Sequence, residues 1–191
     1  MQLLQERNGS RLHQIILREV HRLNRLVEDF LTSSKPLSLT LAPAQPAAII
    51  AEILTAFEND PRCQGKSVHH TFQAEPTLML DSARFHQVIW NLLINAAHAT
   101  GVGGNITITV RQGEDEEVEI AVSDDGIGIS PEKLLRIFDP FYTTRTGGTG
   151  LGLANVDRII RAHGGTVAVE STEGEGTTFF VRLPRHPKAE G

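Results

Sequence analysis

The chain predicts an α/β (α+β) fold, and three observations carry that prediction. Residues 11–31, 46–59, 82–100 and the run from the glycines near 150 to His163 read as helices. Residues 68–73, 77–80, 106–110, 118–122, 166–170 and 177–183 read as short strands. The chain has 191 residues, 40% of them hydrophobic, which suffices for one good core plus an extra element.

Composition removes several classes of function. The formal net charge of −5 argues against nucleic acid as a partner, since such binding relies on clustered Lys and Arg. Cys63 is the only cysteine, so neither an intrachain disulfide nor a cysteine metal cluster can form, and a reducing, cytoplasmic setting fits. No apolar run approaches the roughly 20 residues that span a bilayer, and the N-terminus lacks the apolar stretch of a signal peptide. A soluble chain is expected, whatever a longer parent does.

Residues 11–31 hold no Gly or Pro, and Leu12, Ile15, Ile16, Val20, Leu23, Leu26, Val27, Phe30 and Leu31 recur at three- and four-residue steps. Such a stripe needs a partner, either the domain core or another chain. Ile16, Leu23 and Phe30 repeat at sevens, as in a helical bundle. Pro36 bars continuation. Residues 36–46 form an extended connector in which Leu37, Leu39 and Leu41 alternate like a short strand. Pro46 then opens a helix at a position that tolerates proline. His69 and His70 are neighbours in a strand and face opposite ways, which makes them structural and not a metal pair.

Asp81 or Ser82 caps the next helix. Asn91 and Asn95 lie four apart in the segment Asn91-Leu92-Leu93-Ile94-Asn95 and so project from one face of an otherwise apolar helix. Two such amides need partners. They either cap neighbouring loops or help to hold a hydrated magnesium ion and nucleotide phosphates, a task for which amide oxygens are adequate. Residues 106–110 and 118–122 pair as a hairpin with an acidic turn, and the second strand runs into Asp124-Asp125-Gly126-Ile127-Gly128. Asp at a strand end accepts hydrogen bonds of the kind an adenine 6-amino group donates, and Gly126 and Gly128 allow close backbone approach. Asp-Gly is also common turn chemistry.

Ser130 reads as a cap before Pro131, leading to Phe138-Asp139-Pro140-Phe141, whose two phenylalanines are expected to anchor a loop. Thr143, Thr144 and Arg145 supply hydroxyls and a cation at the mouth of a phosphate site; the Arg fork can grip two oxygens at once. Gly148-Thr149-Gly150-Leu151-Gly152-Leu153 then opens a helix, where backbone N–H groups and the helix dipole favour phosphate. No Gly-Lys-Ser/Thr follows, so this is not a Walker loop, and no Rossmann strand precedes it. Residues 139–150 are expected to form a mobile lid. Gly174-Glu175-Gly176-Thr177 joins the last two strands, and Thr177 is either a base contact or an ordinary strand threonine.

The four segments at 91–95, 124–128, 138–141 and 148–153, in this order, resemble the ATP-binding domain of two-component sensor histidine kinases, in its nitrogen-sensor-like branch. That domain belongs to the superfamily shared with Hsp90-type chaperones, gyrase and MutL. The resemblance implies a two-layer sandwich of a mixed, mostly antiparallel sheet on helices, with ATP and Mg2+ as cofactors. Asn95 would be the magnesium ligand, Asn91 its helper and Asp124 the adenine reader. Asn91 stands where Hsp90-like and MutL-like relatives carry a water-activating glutamate, and Asn is no general base. This favours phosphoryl transfer over steady hydrolysis. Arg145 stands where the branch carries Lys, and Asp125 where Asn is common, which leaves the role of that position open.

The resemblance also reads residues 1–35 as part of the second helix of the dimerisation hairpin, 36–185 as the catalytic domain and 186–191 as a tail. A homodimeric parent and a response-regulator receiver domain are the implied partners. The family's acceptor motif, His-Glu-x-x-Asn-Pro, is absent, and neither His13 nor His21 fits it. The chain is therefore expected to bind ATP without phosphorylating itself. Alternatives are an anti-sigma-type protein-serine kinase, against which the leading helix argues, and a non-catalytic ATP-sensing module.

Overall fold

In the computed structural model, residues 37–114, 116–145 and 148–185 are described. The expected N-terminal helix, part of the acidic turn, Gly147 and the tail from 186 onward lie outside them. One compact unit comprises Leu37–Tyr142 and the chain from Gly150 onward; Thr143–Thr149 belongs to another unit.

Period-two alternation produces the sheet. Strands β2 (Ser67–Phe72), β4 (Asn105–Gln112), β5 (Glu117–Asp124), β6 (Thr166–Thr172) and β7 (Gly176–Pro184) lie in the order β2-β4-β5-β7-β6. The β2–β4 pair is parallel and the other three are antiparallel. A separate two-stranded ribbon pairs β1 (Ala42–Ala44) with β3 (Leu78–Leu80). The strand expected from the leucines at 37, 39 and 41 thus falls just after them, and Leu41 is exposed. Pairing with β3 decided the position, which leucine periodicity alone could not foresee.

One sheet face is apolar. Ile106, Ile108 and Val110, Val118, Ile120 and Val122, and Phe179, Val181 and Leu183 are all buried. They pack on α1 (Pro46–Glu58), α2 (Ser82–Ala99) and α4 (Gly152–Ala162), which contribute Ile50, Phe57, Leu92, Leu93, Val156 and Ile160. Helix α2 is central and touches both α1 and α4. The architecture is the mixed two-layer sandwich. On the opposite face Glu119 is buried between Arg111 and Arg182, whose Nε atoms donate to it at 2.7 and 2.8 Å. Burial alone would raise the Glu119 carboxyl, but the hydrogen bonds from Arg182 and Arg111 outweigh it and hold the group below the usual range.

Two caps were open to the sequence. Asp81, and not Ser82, caps α2, its Oδ1 accepting from Arg84 N–H at 3.0 Å. At α3 (Pro131–Leu134) the Ser130 hydroxyl makes no cap; its carbonyl accepts from Lys133 and Leu134 N–H instead. Among the described residues no helix is long and apolar enough to cross a membrane.

Candidate nucleotide site

The site is assembled where β5 ends beside the C-terminus of α2. Asp124, the last residue of β5, pairs with Thr177 on β7. The chain then turns under α2: Gly126 N–H donates to Asp124 Oδ1 at 3.0 Å, and Ile127 N–H donates to Ala99 O at 3.2 Å. Asn95 lies one turn before Ala99 on α2, so the loop and the amide-bearing helix are neighbours. Burial raises the Asp124 carboxyl to about 6, and nearby Asp125 adds to the rise, while N–H groups of Gly126 and Thr177 oppose it. Among the described residues no ion pair reaches this half-buried carboxylate, which makes it a candidate for a polar ligand.

Two glycines are required here for steric reasons. Gly128 has φ +65°, and a Cβ on it would lie 2.0 Å from Thr172 O. Gly176 has φ +127°, and its Cβ would lie 2.0 Å from Asp124 O. No other residue fits either position without moving the backbone. An open polar cleft of about 230 Å³ at this end is lined by Asp124, Ser171, Thr172, Glu175, Gly176 and Thr177, among others.

Asp125, whose role the sequence left open, acts on the framework. Its Oδ1 accepts from Asn105 N–H and its Oδ2 from Asn105 Nδ2, both at 2.8 Å, which lowers its carboxyl from the ordinary value. It fastens the start of β4 to the end of β5.

Along α2, Asn91 Nδ2 donates to Gly152 O at 3.4 Å, joining the amide helix to the first residue of α4. Leu151 stands at the N-cap of α4 and, being apolar, offers the first turn no side-chain cap. The N–H groups of Gly152 and Leu153 thus sit at the positive end of a helix. The far ends of the two helices are tied as well. Asp81 N–H donates to His163 Nε2 at 3.0 Å, so the ring proton sits on Nδ1, which bonds Ile159 O at 2.8 Å. Asp81 Oδ2 also accepts from Thr40 N–H at 2.9 Å.

The unit holding Thr143–Thr149 is described by itself. Arg145 N–H donates to Thr143 Oγ1 at 3.1 Å, and Gly148 N–H donates to Arg145 O at 3.1 Å. Thr143, Thr144 and Arg145 are exposed. Just before it, the two phenylalanines part company. Phe138 packs against the core as expected, but Phe141 is 58% exposed with φ +66°. Its backbone does the anchoring: Phe141 N–H donates to Gly150 O at 3.0 Å.

The geometry thus brings Asp124, Gly126, Gly128 and Thr177 together and joins Asn91 to Gly152. A family profile described as "Histidine kinase-, DNA gyrase B-, and HSP90-like ATPase" matches residues 80–187, more than half the chain. The chain belongs to that ATPase family. Its relatives include the sensor histidine kinase ZraS of Salmonella typhi, 41% identical over 176 residues, covering 91% of this chain and 37% of ZraS. The chain thus spans about a third of the length of the curated relatives it matches. The full-length ShkA structure in complex with AMPPNP superposes with a TM-score of 0.79 at 30% identity, covering 94% of this chain and 40% of that one. Histidine kinase ThkA is similar too. Its catalytic domain gives a TM-score of 0.72 at 32% identity, covering 80% of this chain and 100% of that one. Its complex with the response regulator protein TrrA gives 0.77 at 31%, covering 92% of this chain and 51% of that one.

Sequence reasoning missed two residues that tie the framework of this candidate site together. His163 reads in the sequence only as a helix end, and Ser171 lies just beyond the strand expected at 166–170. Neither belongs to a glycine or asparagine motif, and a buried histidine or strand serine carries no periodic signal. Ser171 Oγ accepts from Ile129 N–H at 2.8 Å, donates to Gly176 O at 2.7 Å and lies 2.9 Å from Thr177 Oγ1.

Proposed function

We propose that this chain is the ATP-binding catalytic part of a sensor histidine kinase, transferring the γ-phosphoryl group of Mg-ATP to a histidine for relay to a response-regulator aspartate. The observation that carries the reading is the half-buried Asp124 acceptor set beside the α2 helix that presents Asn91 and Asn95. The names of ZraS and ThkA, the AMPPNP bound to ShkA and the regulator bound to ThkA support it. In the transfer, a histidine nitrogen attacks the γ-phosphorus, the bond to the β-bridging oxygen breaks, ADP leaves and the imidazolium proton is lost. Positioning and charge neutralisation are the protein's contribution. Asn at position 91 supplies no base for water, which favours transfer to a side chain.

In this reading Asp124 accepts from the adenine 6-amino group, with Gly126, Gly128 and Thr177 around the base. Gly150, Leu151, Gly152 and Leu153 present backbone N–H groups to phosphate; Gly148, whose own N–H is taken by Arg145 O, and Thr149 belong with Thr143, Thr144 and Arg145 to the segment that adds hydroxyls and a cation. Among the described residues no cluster of His, Cys, Asp or Glu could hold a metal ion. The donor set on α2 fits magnesium carried by the nucleotide: Asn95, assisted by Asn91, offers amide oxygens to an ion that keeps phosphate and water ligands. Bound there, the ion neutralises phosphate charge. Residues 36–185 form the catalytic domain, 1–35 part of a dimerisation helix and 186–191 a tail. The parent is a homodimer that works in the cytoplasm, anchored to a membrane where segments outside this chain provide for it.

The test supplies γ-labelled ATP, Mg2+ and a fragment bearing an acceptor hairpin. Label on the fragment that is lost in acid and kept in base supports transfer to histidine. Label that survives acid overturns it in favour of serine.

A further inference from the structure

We infer that Ser171 is a positioning residue that sets the nucleobase preference of this site, by holding the Thr177 hydroxyl as a hydrogen-bond acceptor; the inference rests on the ATP-binding reading above. A serine hydroxyl has one proton and two lone pairs. Ser171 uses all three. Gly176 O, 2.7 Å away, is a carbonyl and can only accept, so the Ser171 proton goes there. Ile129 N–H, at 2.8 Å, can only donate, and takes one lone pair. The remaining neighbour is Thr177 Oγ1 at 2.9 Å, and only a lone pair is left for it. Thr177 must therefore donate to Ser171, and its own oxygen can only accept from a ligand.

Thr177 pairs with Asp124 across β5 and β7, and both line the same cleft. An ionised Asp124 is likewise an acceptor and never a donor. The base end of the site thus presents two acceptors. A 6-amino purine brings two N–H donors to them. A 6-oxo purine, guanine or hypoxanthine, brings an oxygen that both repel. Selectivity of this kind comes from the group left without a partner. Ser171 touches no base in this scheme. It orients Thr177, and through Ile129 N–H it also holds the end of the loop that follows Asp124.

Removing the Ser171 hydroxyl lets Thr177 rotate and donate, so the 6-oxo purine is no longer excluded at that position. The experiment is a competition titration of ATP against ITP on the full chain with Mg2+, for wild type, Ser171→Ala, Ser171→Thr and Thr177→Val. Wild type is expected to prefer ATP by about tenfold or more. Ser171→Ala should cut that ratio by about threefold or more, while Ser171→Thr, which keeps a hydroxyl, restores it. Thr177→Val, close to Thr in shape, should also lower the ratio, and it carries the test where Ser171→Ala does not fold. Equal weakening of both nucleotides in Ser171→Ala, or an unchanged ratio in Thr177→Val, overturns the inference and leaves the ATP-binding reading standing. A wild-type chain that binds neither nucleotide overturns the ATP-binding reading itself, and this inference with it.

Discussion

Asp124 and Thr177 meet across strands far apart in sequence, and the glycines beside them lie against backbone carbonyls. The segment holding Thr143, Arg145 and Gly148 bonds differently: Arg145 N–H reaches back two residues, and Gly148 N–H reaches back to Arg145 O. At the proposed base end, the framework and the candidate recognition groups are the same residues. In the 143–149 segment, the Thr143 hydroxyl helps to form the turn by accepting from Arg145 N–H, while the Thr144 and Arg145 residues are exposed. The proposed base end is thus held by the framework's own hydrogen bonds and close packing, an order that would spare part of the cost of binding. Substitution of its glycines should strike the fold, whereas substitution of the exposed side chains in the segment should strike chiefly the ligand.

The largest expected effect is a direct contrast between two glycines. Gly176→Ala places a Cβ 2.0 Å from Asp124 O at φ +127°. It should destabilise the chain by about 3 kcal/mol or more in urea unfolding. The corresponding Cβ on Gly148 meets the Thr143 hydroxyl at 2.5 Å, a side-chain atom that can turn away. Gly148→Ala should therefore cost no more than about 1 kcal/mol in the same measurement. Equal losses would dissolve the contrast.

Asp124 sharpens it, because stability and binding should move in opposite directions. Its carboxyl is raised to about 6 from 3.8, so folding favours the protonated form. The stability it contributes is complete below 3.8 and is lost as pH rises through about 6. Asp124→Asn should accordingly raise the melting temperature of the nucleotide-free chain at pH 8. It should weaken ATP binding by about 30-fold, since the amide gives up a charged acceptor. A drop in both stability and affinity would mean that Asp124 is framework alone.

Arg145→Ala is expected to reduce affinity for ATP by about tenfold while leaving AMP within about twofold, as phosphate gripping by an exposed cation requires. Calorimetry with the two nucleotides separates this from a general loss of the site.

How much of this was legible in the sequence follows from the same contrast. Alternation announced the paired strands, and Pro46 and the pair Asp81 and Ser82 marked helix starts through chemistry that acts within a few residues. The site motifs were legible because glycine before a helix and Asp at a strand end are local signals. What escaped was long-range. Leucine spacing could not say that Ala42–Ala44 would be the segment to pair with β3. Nothing near Ser171 announces Ile129, Gly176 and Thr177 as its partners. The tie from His163 to Asp81 joins opposite ends of two helices and is equally silent. Asp125 departs from a common Asn, and only the fold reveals that it clasps Asn105.

The smallest effect belongs to the sheet face away from the core. Glu119 lies below its usual carboxyl range, so its contribution is present above 4.5 and is lost as pH falls through the depressed value. Glu119→Gln should cost about 1–2 kcal/mol at pH 7, less as the medium is acidified, with ATP affinity unchanged. Urea unfolding at two pH values reads the first part and calorimetry the second.

Asp124, at the end of β5, is proposed to read the base of the nucleotide. Calorimetric titration with ATP, with and without Mg2+, on the wild-type chain and on Asp124→Ala tests it most directly. Metal-dependent binding is expected of the wild-type chain, and none of Asp124→Ala, which still unfolds cooperatively. Binding by a folded Asp124→Ala chain at wild-type strength would contradict it.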